Sequence, residues 1–140
     1  MKIIIMYGEM GSGKSYLGER YAKQQGMAFL EGDDFLPPAM ASRIAQFKPV
    51  TPDMIKRYLL EYLIPVILGE VDARGLVVSQ ALYLREHRKM LVERLRFHGH
   101  EVELQHVRAP FWRHMRQLWN RPQGARWVLY GLLNKPFFQA

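Results

Sequence analysis

The stretch Gly8–Ser15, GEMGSGKS, follows directly on the apolar run KIIIMY of residues 2–7. It satisfies the pattern GxxxxGK followed by Ser or Thr, with Gly8, Gly13, Lys14 and Ser15 at the four defining positions. Fewer than about one chain of this length in a hundred carries that pattern by chance at average composition. Its setting is also the required one, a buried strand before it and a helical pattern after it. Gly11 and Gly13 let the backbone curl until its N–H groups face inward toward phosphate oxygens, and the dipole of the following helix adds to that field. Lys14 is expected on the outer phosphates and Ser15 on a magnesium ion. Gly8, Met10, Gly11 and Ser12 complete the expected loop contacts to the nucleotide, with Gly13 and Tyr16 flanking Lys14 and Ser15.

A phosphate cradle is shared by motors, switches and kinases, so the remaining sequence must discriminate. Motor ATPases end an apolar strand in Asp to hold magnesium and orient water, whereas GLVVSQ ends in Ser79 and Gln80. The guanine motif NKxD is missing too, because Asn134-Lys135 is followed by Pro136-Phe137. Asp33 and Asp34 lie about twenty residues past the loop, where a second strand, MAFLEGDD, runs into an acidic turn. In a parallel sheet that strand end shares an edge with the phosphate loop. A carboxylate there can take the proton of an attacking hydroxyl or serve the magnesium side.

Further along, Lys14–Gln25 reads as a helix with Leu17 and Tyr21 on one face. Pro37, Pro38, Pro49 and Pro52 leave room for one short helix between irregular connections. Thr51 can cap the next helix with Pro52 in its first turn, and Pro65 should kink or end it near the carbonyl of Glu61. GLVVSQ is a third strand, LREHRKMLVERLRF a helix and HEVELQHV a fourth strand. Strands separated by helices predict a parallel sheet with right-handed crossovers. In FWRHMRQLWN, Phe111, Met115, Leu118 and Trp119 share one helical face, with Arg113, Arg116 and Asn120 on another. NRPQGAR reads as a basic turn and WVLYGLLNKPFFQA as a short apolar end.

At 140 residues and 49% hydrophobic, the chain fits one domain with a real core. With no cysteine, disulfides and cysteine-ligated zinc are excluded. None of the five histidines pairs with another at a helical metal-ligand spacing. MKIIIMYG is too short for a signal-peptide core, and LLEYLIPVIL, interrupted by Glu61 and Pro65, is roughly half a membrane span. A cytoplasmic protein without a membrane partner is expected. Residues 1–84 balance nine basic against nine acidic residues, while residues 85–140 hold eleven against four, so the net +7 is C-terminal. That half should attract an anion.

The segment GEMGSGKSYLGERYAKQQGMAFLEGDDFLPP resembles the opening of the gluconate kinases and the related shikimate kinases, with Glu31-Gly32-Asp33 in place of a D-x-D motif. PVTPDMIKR is similar to the gluconate kinase stretch that begins the substrate-side helices, with Asp53 and Arg57 at the charged positions. VVSQALYLREHRKMLVERL resembles that family's third strand and the segment after it. The resemblance implies an α/β P-loop fold of about four parallel strands flanked by helices. It also implies a substrate-side helical insertion over residues 38–69 and a lid over 110–127. The activity it implies is ATP- and magnesium-dependent phosphoryl transfer to a hydroxyl of a small, often acidic, metabolite. Asp33 becomes the base or a magnesium-side carboxylate, beside Ser15. Asp34, Arg57, Arg85 and Arg88 become acceptor contacts, and Arg116 and Arg121 the lid charges that act with Lys14. The chain departs from the family at Phe35-Leu36-Pro37, where a His-Pro is expected, at Gln80 for Ser and at Tyr83 for Lys. A nucleotide-binding or regulatory module without turnover is the alternative, motivated by the short stretch that follows the lid. A polynucleotide 5'-hydroxyl kinase is a third reading, on the basic half with Trp112, Trp119 and Trp127. Nucleic acid is not the expected partner, because tryptophans at such spacings more often belong to a core.

Overall fold

The computed structural model describes every residue except Met10 and Ala140, and the side chains of Phe111, Trp112 and Pro136 are left aside. The strands are β1 (Lys2–Tyr7), β2 (Ala28–Glu31), β3 (Leu76–Gln80) and β4 (Glu101–His106). They form one parallel sheet in the order β2-β3-β1-β4, with Ile4 opposite Val77 on one side and Glu103 on the other. Each crossover is helical: α1 (Lys14–Gln25) joins β1 to β2, and α5 (Arg85–Phe97) joins β3 to β4. Between β2 and β3 lie α2 (Pro38–Ala45), α3 (Pro52–Tyr58) and α4 (Ile64–Glu70). α6 (Phe111–Trp119) and α7 (Gly124–Asn134) form a hairpin after β4. Among the described residues no helix is long and apolar enough to cross a membrane.

Alternation along β1 divides the core. Ile3 and Ile5 face α3, α4 and α5 together with Tyr58, Leu59, Leu63, Ile67, Leu91 and Leu95. Ile4 and Met6 face α1, with Val77 and Ala22. Period-two side chains on a strand covered on both faces give the unbroken apolar run KIIIMY.

The face of α1 differs from the expectation. Lys14, Gly18 and Ala22 are its buried residues, and Leu17 is 45% exposed. A Cβ on Gly18 would sit 3.5 Å from Met6 Sδ and 3.6 Å from Val77 Cγ1, so small residues set the close approach of helix to sheet. Thr51 caps α3 as its position suggests, accepting from the Met54 N–H at 3.2 Å, with Pro52 in the first turn. Pro65 does not end the helix. Residues Leu59–Leu63 widen into a π-helical turn that carries α3 into α4, which accommodates a proline that has no N–H and crowds the preceding turn.

The segment read as a short apolar end is the helix α7. It starts behind Gln123, which has φ 58°, and buries Tyr130 and Gly131. In α6, His114 rather than Trp119 joins Met115 and Leu118 on the buried face, and Trp119 is 62% exposed.

Candidate active site

The carboxyl edge of the sheet carries the phosphate loop. Gly11 and Gly13 have φ of 80° and 89°, the left-handed region that a glycine occupies without strain, and α1 begins directly after them. Lys14 is 5% exposed and Ser12 6% exposed. Burial pushes the Lys14 ammonium below its ordinary range; the nearby Arg121 adds to this, and the carboxylates of Asp33 and Glu31 oppose it. Ser12 Oγ is buried with no hydrogen-bond partner among the described residues. A curled glycine backbone, a sequestered lysine and an orphaned hydroxyl together fit a phosphate group.

Ser15 Oγ lies 3.1 Å from Ser79 Oγ at the end of β3. Burial raises the pKa of Glu31 at the end of β2, while a hydrogen bond from Ser15 opposes the rise. Ser15, Ser79 and Glu31 thus offer oxygens at one place, which fits a hard cation held partly by phosphate and water.

Asp33 sits in a single 3-10 turn, Gly32–Phe35, and its backbone N–H donates to Glu31 Oε1 at 3.4 Å. The residue is exposed, yet its Oδ1 accepts from Gln80 Nε2 at 3.3 Å. Gln80 Oε1 and the Gly32 carbonyl oxygen lie 2.8 and 2.6 Å from the Tyr58 hydroxyl, whose single proton they share. Gln80 and Tyr58 were not among the expected site residues. In the sequence Gln80 is marked only as a departure from the family pattern.

Of the expected residues, the structure therefore brings Lys14, Ser15 and Asp33 together, while the Arg121 guanidinium lies 5.2 Å from the Trp127 ring centroid and adds to the lowering of the Lys14 pKa. Asp34 is exposed in the same turn, and Tyr16 is exposed on the first turn of α1. Arg57 is exposed on α3, and Arg116 is exposed on α6. The side chain of Arg85 is exposed, while its backbone N–H donates to Gln139 Oε1 at 2.9 Å. Arg88, expected to clamp an acceptor, is instead buried. Its guanidinium donates to the Leu82 carbonyl at 2.8 Å and to the Gln139 carbonyl, and it lies 4.5 Å from the Tyr7 ring centroid. It ties the end of the chain to β1. Met10 lies outside the described residues.

The α6–α7 hairpin covers the loop. A Cβ on Gly11 would meet Leu118 Cδ2 at 2.7 Å, and one on Gly13 would lie 3.7 Å from Gln117 Nε2. Glu9 holds the cover down, with Lys135 Nζ at 2.7 Å and His114 Nδ1 at 3.5 Å from its Oε2. α7 also reaches the connection between α2 and α3, where Trp127 and Tyr130 stand edge-on to Phe47 at 4.8 and 6.2 Å between centroids. Beside the loop, on the β4 side, Glu9, Ser12, His106, Arg108, His114 and Lys135 help to line a cavity of about 390 Å³. A second, shallower cavity of about 440 Å³ lies at the other end of β4, around Lys2 and Glu101, remote from these groups.

This architecture, a parallel sheet with a phosphate loop at its carboxyl edge and helices on both faces, is a fold that solved P-loop kinases share. No protein-family model matches the sequence, and no curated protein matches it. Among solved structures, a gluconokinase from Sinorhizobium meliloti 1021 superposes with a TM-score of 0.77 at 21% identity, covering 99% of this chain and 75% of that one. An unliganded sugar kinase from Janibacter sp. HTCC2649 gives a TM-score of 0.75 at 20% identity, over 100% and 79% of the two chains. The APS kinase of Mycobacterium tuberculosis, in complex with AMPPNP and APS, gives 0.60 at 22% identity, over 83% and 67%. At these identities the likeness is one of fold.

Proposed function

We propose that the protein transfers the terminal phosphoryl group of ATP to a hydroxyl of a small metabolite. The observation that carries this reading is Asp33: an exposed carboxylate at the edge that holds Lys14 and Ser15, with one oxygen fixed by Gln80. A residue poised only to orient water for hydrolysis would be expected at the end of β3, where Ser79 and Gln80 stand instead.

In this mechanism the backbone N–H groups of Gly11 to Ser15 and the Lys14 ammonium bind the phosphates. Ser15 and Glu31 would hold magnesium, which when bound offsets phosphate charge. We assign that side to Glu31 rather than Asp33, because Asp33 Oδ1 is already engaged by Gln80. Asp33 accepts the proton of the acceptor hydroxyl as its oxygen bonds to phosphorus and the bond from phosphorus to the bridging oxygen of ADP breaks. Arg121, close enough to Lys14 to influence its charge, supplies positive charge from the lid. The nucleoside is accommodated by the cavity beside the loop, whose volume suits a ligand of that size. Of the tryptophans that suggested a polynucleotide acceptor, Trp127 packs against Phe47 and Tyr130 while Trp119 is 62% exposed.

The test is incubation with γ-labelled ATP and magnesium across a panel of sugar acids, polyols and nucleosides. Label should pass to at least one acceptor and fail to do so with Asp33→Asn. ATP binding without transfer to any member would defeat the kinase reading and favour a nucleotide-binding module. The tight seating of Leu118 on Gly11 is the feature that would then need explaining.

A further inference from the structure

β3 ends in LVVSQ, and its last residue stands where a hydrolytic member of this fold class would put an acid. Gln80 is 4% exposed and pairs in register with Tyr7 of β1. Its side chain leaves the sheet toward the turn after β2. There the amide is gripped at both ends, by the Tyr58 hydroxyl at 2.8 Å from Oε1 and by Asp33 Oδ1 at 3.3 Å from Nε2. The contact with Asp33 decides which way round the amide sits, because the flipped amide would set two oxygens against each other. Tyr58 is itself 1% exposed, its hydroxyl proton shared between Gln80 and the Gly32 carbonyl.

A second observation is independent of those bonds. A Cβ on Gly32 would lie 2.0 Å from Gln80 Oε1 and 2.9 Å from the Ser79 carbonyl oxygen. The φ of Gly32 is not positive, so the glycine is there for space rather than for backbone freedom. The glycine between Glu31 and Asp33 is thus fitted to the amide of Gln80. A solvated acidic turn would need no such fit.

The geometry points to Gln80 as a positioning residue, which holds Asp33 Oδ1 from a buried platform of Tyr58 and Gly32 so that the second carboxylate oxygen meets the acceptor hydroxyl. This rests on the reading of Asp33 as the base. An exposed aspartate in a single 3-10 turn would otherwise rotate about its side-chain bonds, and a misplacement of about 1 Å at a reacting group can cost on the order of a hundredfold in rate. A neutral amide orients the carboxylate without neutralising it. An acid at position 80 would put a like charge within hydrogen-bond distance of Asp33, which accounts for glutamine where a motor has aspartate.

The test is a double-mutant cycle with Gln80→Met, which keeps length and removes the amide, and Asp33→Asn. The rate followed is phosphoryl transfer from ATP to the first acceptor found, or to water if none is found. Gln80→Met should lower kcat about ten- to a hundredfold with the KM for ATP unchanged. In the Asp33→Asn background it should have no further effect, and Gln80→Glu should be worse than Gln80→Met. Equal losses in both backgrounds, or a KM for ATP that rises in step with the loss, would overturn the assignment. The proton and nitrogen resonances of the Gln80 side-chain amide provide a readout that needs no turnover. They should shift in Asp33→Asn and again in Tyr58→Phe, and no shift in Asp33→Asn overturns the link. A wild type that neither transfers nor hydrolyses, with those shifts present, would instead place the failure in the kinase reading.

Discussion

Replacing Tyr58 by Phe removes one oxygen from a site where two buried acceptors depend on it. The ring is kept, so the change leaves little cavity, and the cost is that of lost hydrogen bonding. The single hydroxyl proton is shared between the Gly32 carbonyl and Gln80 Oε1, and both lose that donor. Leaving buried acceptors unsatisfied costs about 1–3 kcal/mol. For a chain of 140 residues, the usual unfolding entropy per residue converts this into a fall in Tm of about 3–10 °C. Thermal unfolding at neutral pH, followed by circular dichroism, measures it, and urea titration should show a lower midpoint with an unchanged slope. A fall below about 1 °C would refute the reasoning, since the pair of short contacts would then carry no energy. The pH dependence gives an internal check. Burial, with the charges of Asp33 and Glu31 adding to it, holds the Tyr58 hydroxyl protonated well above the ordinary tyrosine range. The folded pKa is therefore the higher one. The contribution is present in full below the unfolded value near ~10 and is lost as pH rises above it, by up to about 1.4 kcal/mol per pH unit. The gap between wild type and Tyr58→Phe should accordingly narrow in strong alkali.

Lys14→Met should abolish the rise in Tm caused by ATP and magnesium while raising the Tm of the ligand-free protein, because it removes an ammonium that burial destabilises. Since the folded pKa of Lys14 is the depressed one, that gain should shrink as pH climbs through it toward the unfolded value; a destabilised ligand-free variant would contradict the burial argument. Ser15→Ala should weaken magnesium-dependent binding of AMPPNP and leave metal-free binding unchanged, as read by calorimetry with and without chelator. Gly124→Ala would drive a Cβ to 1.8 Å from the Trp119 carbonyl oxygen, a backbone atom that cannot swing aside. Limited proteolysis should then cut in the α6–α7 turn while the sheet stays protected, and an unchanged digestion pattern would show that the turn can adapt.

The parts of the fold that were legible in the sequence are those with local causes. The phosphate loop is contiguous, and the bounds of α1 follow from Gly13 and Gly26, which has φ 68° and closes the helix onto the carbonyls of Ala22 and Lys23. Thr51 and Pro52 mark a helix start by themselves. What stayed hidden is held by contacts between distant residues. Gln80 meets Asp33 across 47 positions and Tyr58 across 22, and no period in the chain announces either. Tyr58 conforms to the apolar stripe of its helix, so its hydroxyl is invisible to pattern reading. Arg88 read as an acceptor contact because the resemblance to the gluconate kinases implies one in the segment after β3. Its real partners are the carbonyls of Leu82 and Gln139 and the ring of Tyr7, which only the closed tertiary structure brings together. The helix α7 carries no start signal in the sequence, because it begins at a left-handed glutamine rather than at a recognisable cap.

The central place of β1 has a consequence for synthesis of the protein. Ile3, Ile4 and Ile5 are fully buried, and their strand neighbours are Leu76–Val78 and Val102–Leu104. On the ribosome the run KIIIMY therefore emerges long before either flanking strand exists. It has strong β propensity, a single charge and no proline, the composition of a segment that pairs with other chains when left open. Fragments ending before β3 should form inclusion bodies.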